Sequence, residues 1–266
     1  MRSRFNAVAA ALAVFAVVLP QISLADLSDG LVARYTFDGN ANDSSDNGLH
    51  GTVYGATLSR DRFGNLDCAY HFDGIDDYIR VADDPRLDGM SALTLSVWIQ
   101  IDDRDREAEV LNKYVHYTGS RFDDSYIIGI DNGGQIAFQY ATASDYAIEI
   151  TSATLGVDSW HHIAGVYTGA EGRVYIDGVL AALWRDDPNP GGALNSIADD
   201  LLIGCANTNT GLAKFFSGRI DDVRIYDRAL SDIEVHDLSV VPLPGAVLLA
   251  GIGLCAASYR LRRRTS

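Results

Sequence analysis

Phe216-Ser217-Gly218-Arg219-Ile220-Asp221-Asp222-Val223-Arg224-Ile225-Tyr226-Asp227-Arg228-Ala229-Leu230-Ser231 is the stretch on which the fold turns. Apolar and polar residues alternate from Arg219 to Tyr226, the two-residue period of a strand with one face buried. Ser231-Asp232-Ile233-Glu234 follows. Its serine and glutamate, three residues apart, can satisfy the free backbone amides at a helix start. The segment predicts a strand that closes a sheet and hands over to a short helix.

Working outward, residues 31–37, 70–72, 78–81, 93–101, 126–130, 135–140, 161–168, 173–176 and 201–203 read as further strands. Turn signals separate them, among them Asp38-Gly39-Asn40, Asp73-Gly74, Asp88-Gly89, Asp131-Asn132-Gly133-Gly134 and Asp177-Gly178. No long helical period occurs. Many short strands at this spacing predict an all-β domain: a two-sheet antiparallel jelly-roll sandwich. Trp98 and Trp160 fall on or beside strands and are expected in the core. His161 and His162 are adjacent, so they face opposite sides of a strand and cannot both reach one metal from it.

Five blocks resemble one family in the same order. They begin Gly30-Leu31-Val32-Ala33-Arg34-Tyr35-Thr36-Phe37-Asp38-Gly39-Asn40 and continue with Tyr70-His71-Phe72-Asp73-Gly74-Ile75-Asp76-Asp77-Tyr78-Ile79. Leu93-Thr94-Leu95-Ser96-Val97-Trp98-Ile99 comes third, Trp160-His161-His162-Ile163-Ala164-Gly165-Val166-Tyr167 with Val174-Tyr175-Ile176-Asp177-Gly178 fourth, and the closing stretch last. Together they are similar to laminin-G-like, concanavalin A-like jelly-roll domains. The resemblance implies two antiparallel sheets and binding roles, and it names no ligand, because lectins, adhesins and glycan hydrolases share this fold.

Both ends point out of the cell. Arg2 and Arg4 precede an apolar run at 7–19, and Ser23-Leu24-Ala25 offers a small-x-small cleavage site, so residues 1–25 read as a secretory signal peptide. Residues 26–238 form the expected sandwich. Residues 239–266 form a linker, a transmembrane helix and a basic tail. The span 240–259 holds no charge, and as a helix it would cover about 30 Å, one bilayer core. Arg260, Arg262, Arg263 and Arg264 follow and would stay on the cytoplasmic side. Val241-Pro242-Leu243-Pro244, the apolar span and the basic end resemble the PEP-CTERM sorting signals of Gram-negative bacteria, with Leu243 where glutamate is usual. That resemblance implies transient handling by an exosortase-type membrane protease and release to the cell surface or an extracellular matrix.

Without the six arginines of the two ends, 15 Lys and Arg face 36 Asp and Glu, a formal charge of −21. Such a surface repels nucleic acid and anionic membranes. Only Glu107, Glu109, Glu149, Glu171 and Glu234 are glutamates; the other acids are aspartates, which are turn residues and also ligands for hard cations. Cys255 lies in the tail. Cys68 and Cys205 remain in an exported, disulfide-permissive compartment and are the candidate disulfide pair. A bridge needs their Cα atoms within about 7 Å.

Three function classes stay open. Asp38, Asn40, Asp43 and Asp46 cluster in one glycine-containing loop. If the closing strand runs beside the opening one, Asp221 or Asp222 could complete a calcium shell of six to eight oxygens. Related domains often hold a structural calcium in such a place. The competing account is an Asp-rich loop that makes Asx-turns and binds nothing. Asp76 and Asp77, or Asp123 and Asp124, are lesser cation candidates. Carbohydrate binding would use Trp184, Tyr140 and Tyr146, aromatics read as lying on strand ends or loops, against an extracellular glycan or matrix polymer. A glycan hydrolase needs two carboxyls flanking the scissile bond. No Glu-x-Asp-x-x-Glu, Gly-x-Ser-x-Gly or His-Glu-x-x-His motif occurs, and Glu107 and Glu109 fall in a segment, 102–109, that reads as an exposed turn. Binding is therefore favoured over catalysis, with a purely structural matrix protein as the third class.

Overall fold

The computed structural model describes residues 26–114, 124–143, 146–185, 191–208 and 210–240. Strands run in chain order as β1 (Leu31–Tyr35), β2 (Gly51–Tyr54), β3 (Thr57–Ser59), β4 (Ala69–Asp73), β5 (Tyr78–Val81) and β6 (Leu93–Ile101). Then come β7 (Ala108–Tyr114), β8 (Asp124–Ile130), β9 (Gln135–Ala141), β10 (Tyr146–Thr154), β11 (Trp160–Tyr167) and β12 (Glu171–Ile176). The chain ends in β13 (Val179–Arg185), β14 (Leu201–Ile203), the hairpin β15 (Ala206–Thr208) and β16 (Gly211–Ala213), β17 (Ser217–Tyr226) and the helix α1 (Asp232–Ser239).

Two antiparallel sheets face each other. The first has the order β13-β12-β11-β6-β17-β4-β3, with β1 also paired to β17; the second has the order β10-β9-β8-β7-β14-β5-β2. Inward residues of both sheets, such as Ile99, Ile163, Ile220, Phe138 and Ile203, form one core. The jelly-roll sandwich expected from the strand pattern is what forms. The closing strand does lie beside the opening one, with Leu31 opposite Tyr226 and Tyr35 opposite Val223.

Long β17 changes partner along one edge. Its first half, Ser217–Ile220, pairs with β4, and its second half with β1. The register against β6 slips between Asp221 and Arg224 at the point of exchange. Asp222 there takes a left-handed φ of 44°. A bulge of this kind re-aims side chains and leaves a gap beside the strand.

The capping box forms as the sequence predicts. Ser231 Oγ accepts from the Glu234 amide, and the Glu234 carboxylate accepts from the Ser231 amide at 2.8 Å. Arg228 donates to Glu234 at 2.7 Å and, with the cap, holds that carboxyl down at about 2. The helix lays Val235 and Leu238 over Tyr226, Leu230, Val166 and Tyr175 on the outer face of the first sheet, and Tyr175 donates its hydroxyl to Asp232 at 2.6 Å.

One stretch corrects its sequence reading. Residues 108–114, in part expected as an exposed turn, form the buried strand β7. Glu107 stays exposed, but Glu109 is buried beneath Lys214, which donates to it at 3.1 Å and to Glu107 at 2.7 Å. The paired lysine lets an acidic residue occupy a buried strand position.

Candidate functional site

The outer face of the first sheet is built in four cross-strand rows, and each is covered differently. Val166, Thr94 and Tyr226 form the row under α1. Next come Ala164, Ser96, Arg224 and Arg34. His162, Trp98 and Asp221 form the third row, and Trp160, Gln100, Arg219, His71 and Thr57 the fourth. The loop of residues 60–67 folds over the third row and leaves the fourth open.

That loop is held by Asp61. Its carboxylate accepts from the amides of Phe63 and Asn65 at 2.9 and 2.8 Å and from Asn65 Nδ2 at 2.8 Å. So fixed, the loop delivers Arg62 onto the third row. The Arg62 guanidinium carbon stands 4.7 Å from the Trp98 ring and 4.6 Å from the Phe63 ring. Its two terminal nitrogens reach Asp221 and Asp222. Asp222 also accepts from Arg224 at 2.8 and 3.0 Å and from Arg34 at 3.4 Å. Burial works against the Asp222 charge, but the Arg224 bonds and the nearby guanidinia hold its carboxyl below its ordinary value. Burial wins at Asp221, which is pushed up to about 7 despite Arg62. His162 is buried beside this cluster, 2.9 Å from Ser96 Oγ, and burial holds it down at about 4.

Between loop 60–67 and the fourth row lies an open groove of about 560 Å³, lined by Trp160, Gln100, Arg219, Ser59, Leu66 and Asp67 among others. Its polar groups are fixed. Arg219 donates to Ser59 Oγ at 3.0 Å and to Gln100 Oε1, and stands 3.7 Å from Asp102. Gln100 in turn donates to the Asp158 carbonyl at 2.7 Å, and His71 meets Asp102 at 3.0 Å. Trp160, expected in the core, is instead half-buried at the end of this row. The phase of β11 carries the signal for this. Ile163, Gly165 and Tyr167 point inward, so Trp160 and His162 point outward.

The other sequence-selected residues fall as follows. Asp38, Asp221 and Asp222 do line one cavity of about 240 Å³, in the gap where β17 changes partner. Asn40 does not join them: it is exposed and turns on its own loop, Oδ1 accepting from the Asn42 amide at 2.8 Å. Asp43 is buried and fully used within the loop, accepting from the Arg34, Ser45 and Leu49 amides and from Ser45 Oγ at 2.8–3.0 Å. The five residues expected to hold calcium therefore do not make one shell. Asp43 is committed to turn chemistry, and the seat at Asp221 and Asp222 already receives the Arg62 guanidinium. Asp73, Asp76 and Asp77 bring carboxylate oxygens within 4.8 Å of one another. Asp73 is bonded to the Ile75 amide at 2.7 Å and Asp77 to the Asp73 amide at 2.9 Å, as turns of this kind require.

Cys68 and Cys205 are both free thiols, which corrects the disulfide expectation. Cys68 precedes β4 in the first sheet, where its thiol donates to the Leu66 carbonyl at 3.2 Å; Cys205 is buried just after β14 in the second. Tyr140 is a second correction. It is 2 % exposed, with its ring packed on the backbone of Gly172 and 4.4 Å from the Tyr167 ring, and cannot stack on a ligand. Trp184 is 46 % exposed on the edge strand β13. The backbone of Tyr146 opens β10, but its side chain lies outside what the structure describes, as do Asp123 and the side chain of Asp124. Residues 1–25 and 241–266, with the signal segment and the sorting residues Val241, Pro242, Leu243, Pro244, Arg262, Arg263 and Arg264, lie outside the described residues too. Among the described residues no helix is long and apolar enough to cross a membrane.

The fold has solved relatives. Domain 4 of AbnA, a GH43 extracellular arabinanase from Geobacillus stearothermophilus, in complex with arabinotriose, superposes with a TM-score of 0.58 at 22 % identity, covering 79 % of this chain and 98 % of that one. The binding domain of Paraclostridial Mosquitocidal Protein 1 gives 0.62 at 19 %, covering 80 % of this chain and 52 % of its own. The Botulinum neurotoxin serotype D ligand binding domain in complex with N-acetylneuraminic acid gives 0.59 at 17 %, covering 80 % and 51 %. This chain thus spans about half the length of the two toxin domains, and at such identities the likeness is one of fold. No curated protein matches the sequence. The laminin G-like family model described as the concanavalin A-like lectin/glucanases superfamily matches residues 73–236, more than half of the sequence. With the five sequence blocks, the two sheets and this match in agreement, the chain belongs to the laminin G-like family of the concanavalin A-like lectin/glucanase superfamily.

Proposed function

We propose that this chain is an exported binding module that recognises carbohydrate in the groove beside Trp160. One observation carries the reading: an outward tryptophan stands in register with Gln100 and Arg219, whose polar atoms are already fixed by neighbours. A sugar ring offers an apolar C–H face and a rim of hydroxyls. An aromatic face beside oriented donors and acceptors is complementary to both. The groove volume is in the range of small-ligand sites, from about 300 to 1,000 Å³. The arabinotriose and N-acetylneuraminic acid named with two fold relatives support glycan as the class. The strongly acidic domain argues against nucleic acid as partner.

Export and sorting complete the reading. The N-terminal segment would direct the chain across the inner membrane, and the apolar tail would hold it there. An exosortase-type protease would then cut near Val241–Pro244 and pass the module to the cell surface or matrix. Calcium has no part in the reading of the groove.

The test titrates the full-length chain with arabinotriose, N-acetylneuraminic acid and longer arabinan and sialylated glycans, read by tryptophan fluorescence. Trp160→Ala should weaken saturable binding roughly tenfold or more, the scale of a lost aromatic contact with its burial, while Trp184→Ala leaves it unchanged. Loss at Trp184 alone would move the site to the edge strand. New reducing ends would replace binding with hydrolysis, and no binding to any glycan would leave the structural matrix reading.

A further inference from the structure

The acidic pair on the closing strand has its cation, and that cation is a side chain. Asp221 is 3 % and Asp222 7 % exposed, at a bulge with a cavity beside it and Asp38 on the cavity wall. Two buried adjacent carboxylates need a positive partner, because an uncompensated buried charge is strongly destabilising. Arg34 and Arg224 both approach Asp222. Among the ion pairs of the described residues, Asp221 is met by Arg62. Arg62 is suited to the place. Its planar fork spans both aspartates, and its faces lie against Trp98 and Phe63, where a weakly hydrated guanidinium is attracted to the rings. Its Nε is buried with no hydrogen-bond partner, so the fit is to the two acids and the two rings rather than to every donor.

We propose that Arg62 is a resident cation that takes the seat expected for calcium, clamping loop 60–67 to the closing strand and making this domain independent of calcium there. The seat itself remains one for a hard cation. With Arg62 truncated, Asp221, Asp222 and Asp38 face a cavity already about 240 Å³ in volume, and a divalent or lanthanide ion would have oxygen ligands to bind. The groove beside Trp160 is shaped by the same loop, through Asp61, Gly64, Leu66 and Asp67. Arg62 therefore positions one wall of the groove without touching its occupant.

The experiment compares the full-length wild type with Asp221→Asn, Arg62→Ala, Arg62→Lys and Arg62→Ala/Asp221→Asn. Thermal midpoints are taken in millimolar calcium and in chelator, and terbium luminescence is excited through tryptophan, with Trp98 as the antenna. The wild type should show no calcium shift and no sensitised terbium signal. Arg62→Ala in chelator should lose roughly 6–20 °C, the scale of a broken buried ion pair in a domain of this size. Calcium should restore part of that loss, and a saturable terbium signal should appear and vanish again with Asp221→Asn. Arg62→Lys keeps the charge and should remain folded and silent to calcium; it is the informative variant should Arg62→Ala fail to fold. A wild-type midpoint that rises with calcium and loses that rise in Asp221→Asn would overturn the proposal, because a metal would then displace Arg62. So would a folded Arg62→Ala that ignores both ions, or an Arg62→Lys that acquires calcium dependence.

Discussion

Gly165→Ala should be among the more costly single-methyl additions in this domain. Gly165 sits on β11 between Leu95 of β6 and Val174 of β12 and points into the space between the sheets. A methyl carbon there would stand 2.8 Å or less from three ring carbons of Phe138 on the opposite sheet. Phe138 is fully buried, so its ring has no solvent to retreat into. Ordinary carbon contacts need about 3.5–4.0 Å, so ring and strand must part by roughly 1 Å. Overpacking of this kind costs about 1–3 kcal/mol. For a domain of this length each kcal/mol is worth about 2–4 °C of midpoint. A loss of about 2 kcal/mol therefore predicts a fall of roughly 4–8 °C by circular dichroism. Phe138→Leu should also destabilise when made alone, through lost burial. Combined with Gly165→Ala it should cost less than the sum of the two, because the smaller side chain makes room for the methyl. Strict additivity, or a Gly165→Ala midpoint equal to wild type, would refute the packing argument and place the sheets further apart at this point than the structure has them.

Other outcomes follow from the same packing and charge arrangement. Ser231→Ala removes the hydroxyl that caps α1 and should cost about 1 kcal/mol in urea unfolding, leaving glycan binding unchanged. His162 is held down at about 4, so its unfolded form takes up a proton first as pH falls. The stability it supports is complete above about 6.5 and is lost between 6.5 and 4, and His162→Gln should flatten that part of the urea-midpoint profile. Glu109 has the opposite sign. Burial pushes it up to about 7, so its unfolded form ionises first. Stability is then lost as pH rises from about 4.5 through 7, and Glu109→Gln should gain on wild type at pH 8 relative to pH 5. Alkylation with mass readout should find Cys68 and Cys205 unbridged without reductant, with Cys205 protected until the protein is unfolded; a two-dalton mass gain on reduction would show the bridge after all.

The sequence was most legible where burial imposes a period. Leu93–Ile101 and Tyr78–Val81 have the bounds their alternation predicts, because one face of each is committed to a single core. It was least legible where polar residues are buried in pairs. Segment 102–109 reads as an exposed turn, yet its last residue, Glu109, enters buried β7 and is paired there with Lys214; further along β7, Lys113 is met by Asp83 at 2.6 Å and the Asp199 carbonyl at 2.6 Å. A partner one hundred residues away along the chain leaves no local mark. Edge strand β13 was missed for the reverse reason, since Val179, Leu180, Leu183 and Trp184 are apolar but exposed and give no clean alternation.

The candidate site divides along the same line. Asp38, Asp221 and Asp222 line one cavity, because the pairing of first and last strands follows from the fold. What the acids do there did not follow, because the deciding residue, Arg62, lies in a loop with no periodicity of its own. A buried aspartate can cap its own turn, as Asp43 and Asp61 do, or take a cation from a distant segment, as Asp221 does. The difference is whether backbone amides come to the carboxylate first. Asp43 and Asp61 sit where the chain reverses, and amides of the next few residues fold back onto them. Asp221 lies within a strand, where most amides are directed sideways into the sheet, and its cationic partner comes from outside the strand. That pairing explains why loop 60–67 crosses the third row. It also explains why the fourth row, with no acidic pair to neutralise, stays open with Trp160 at its end.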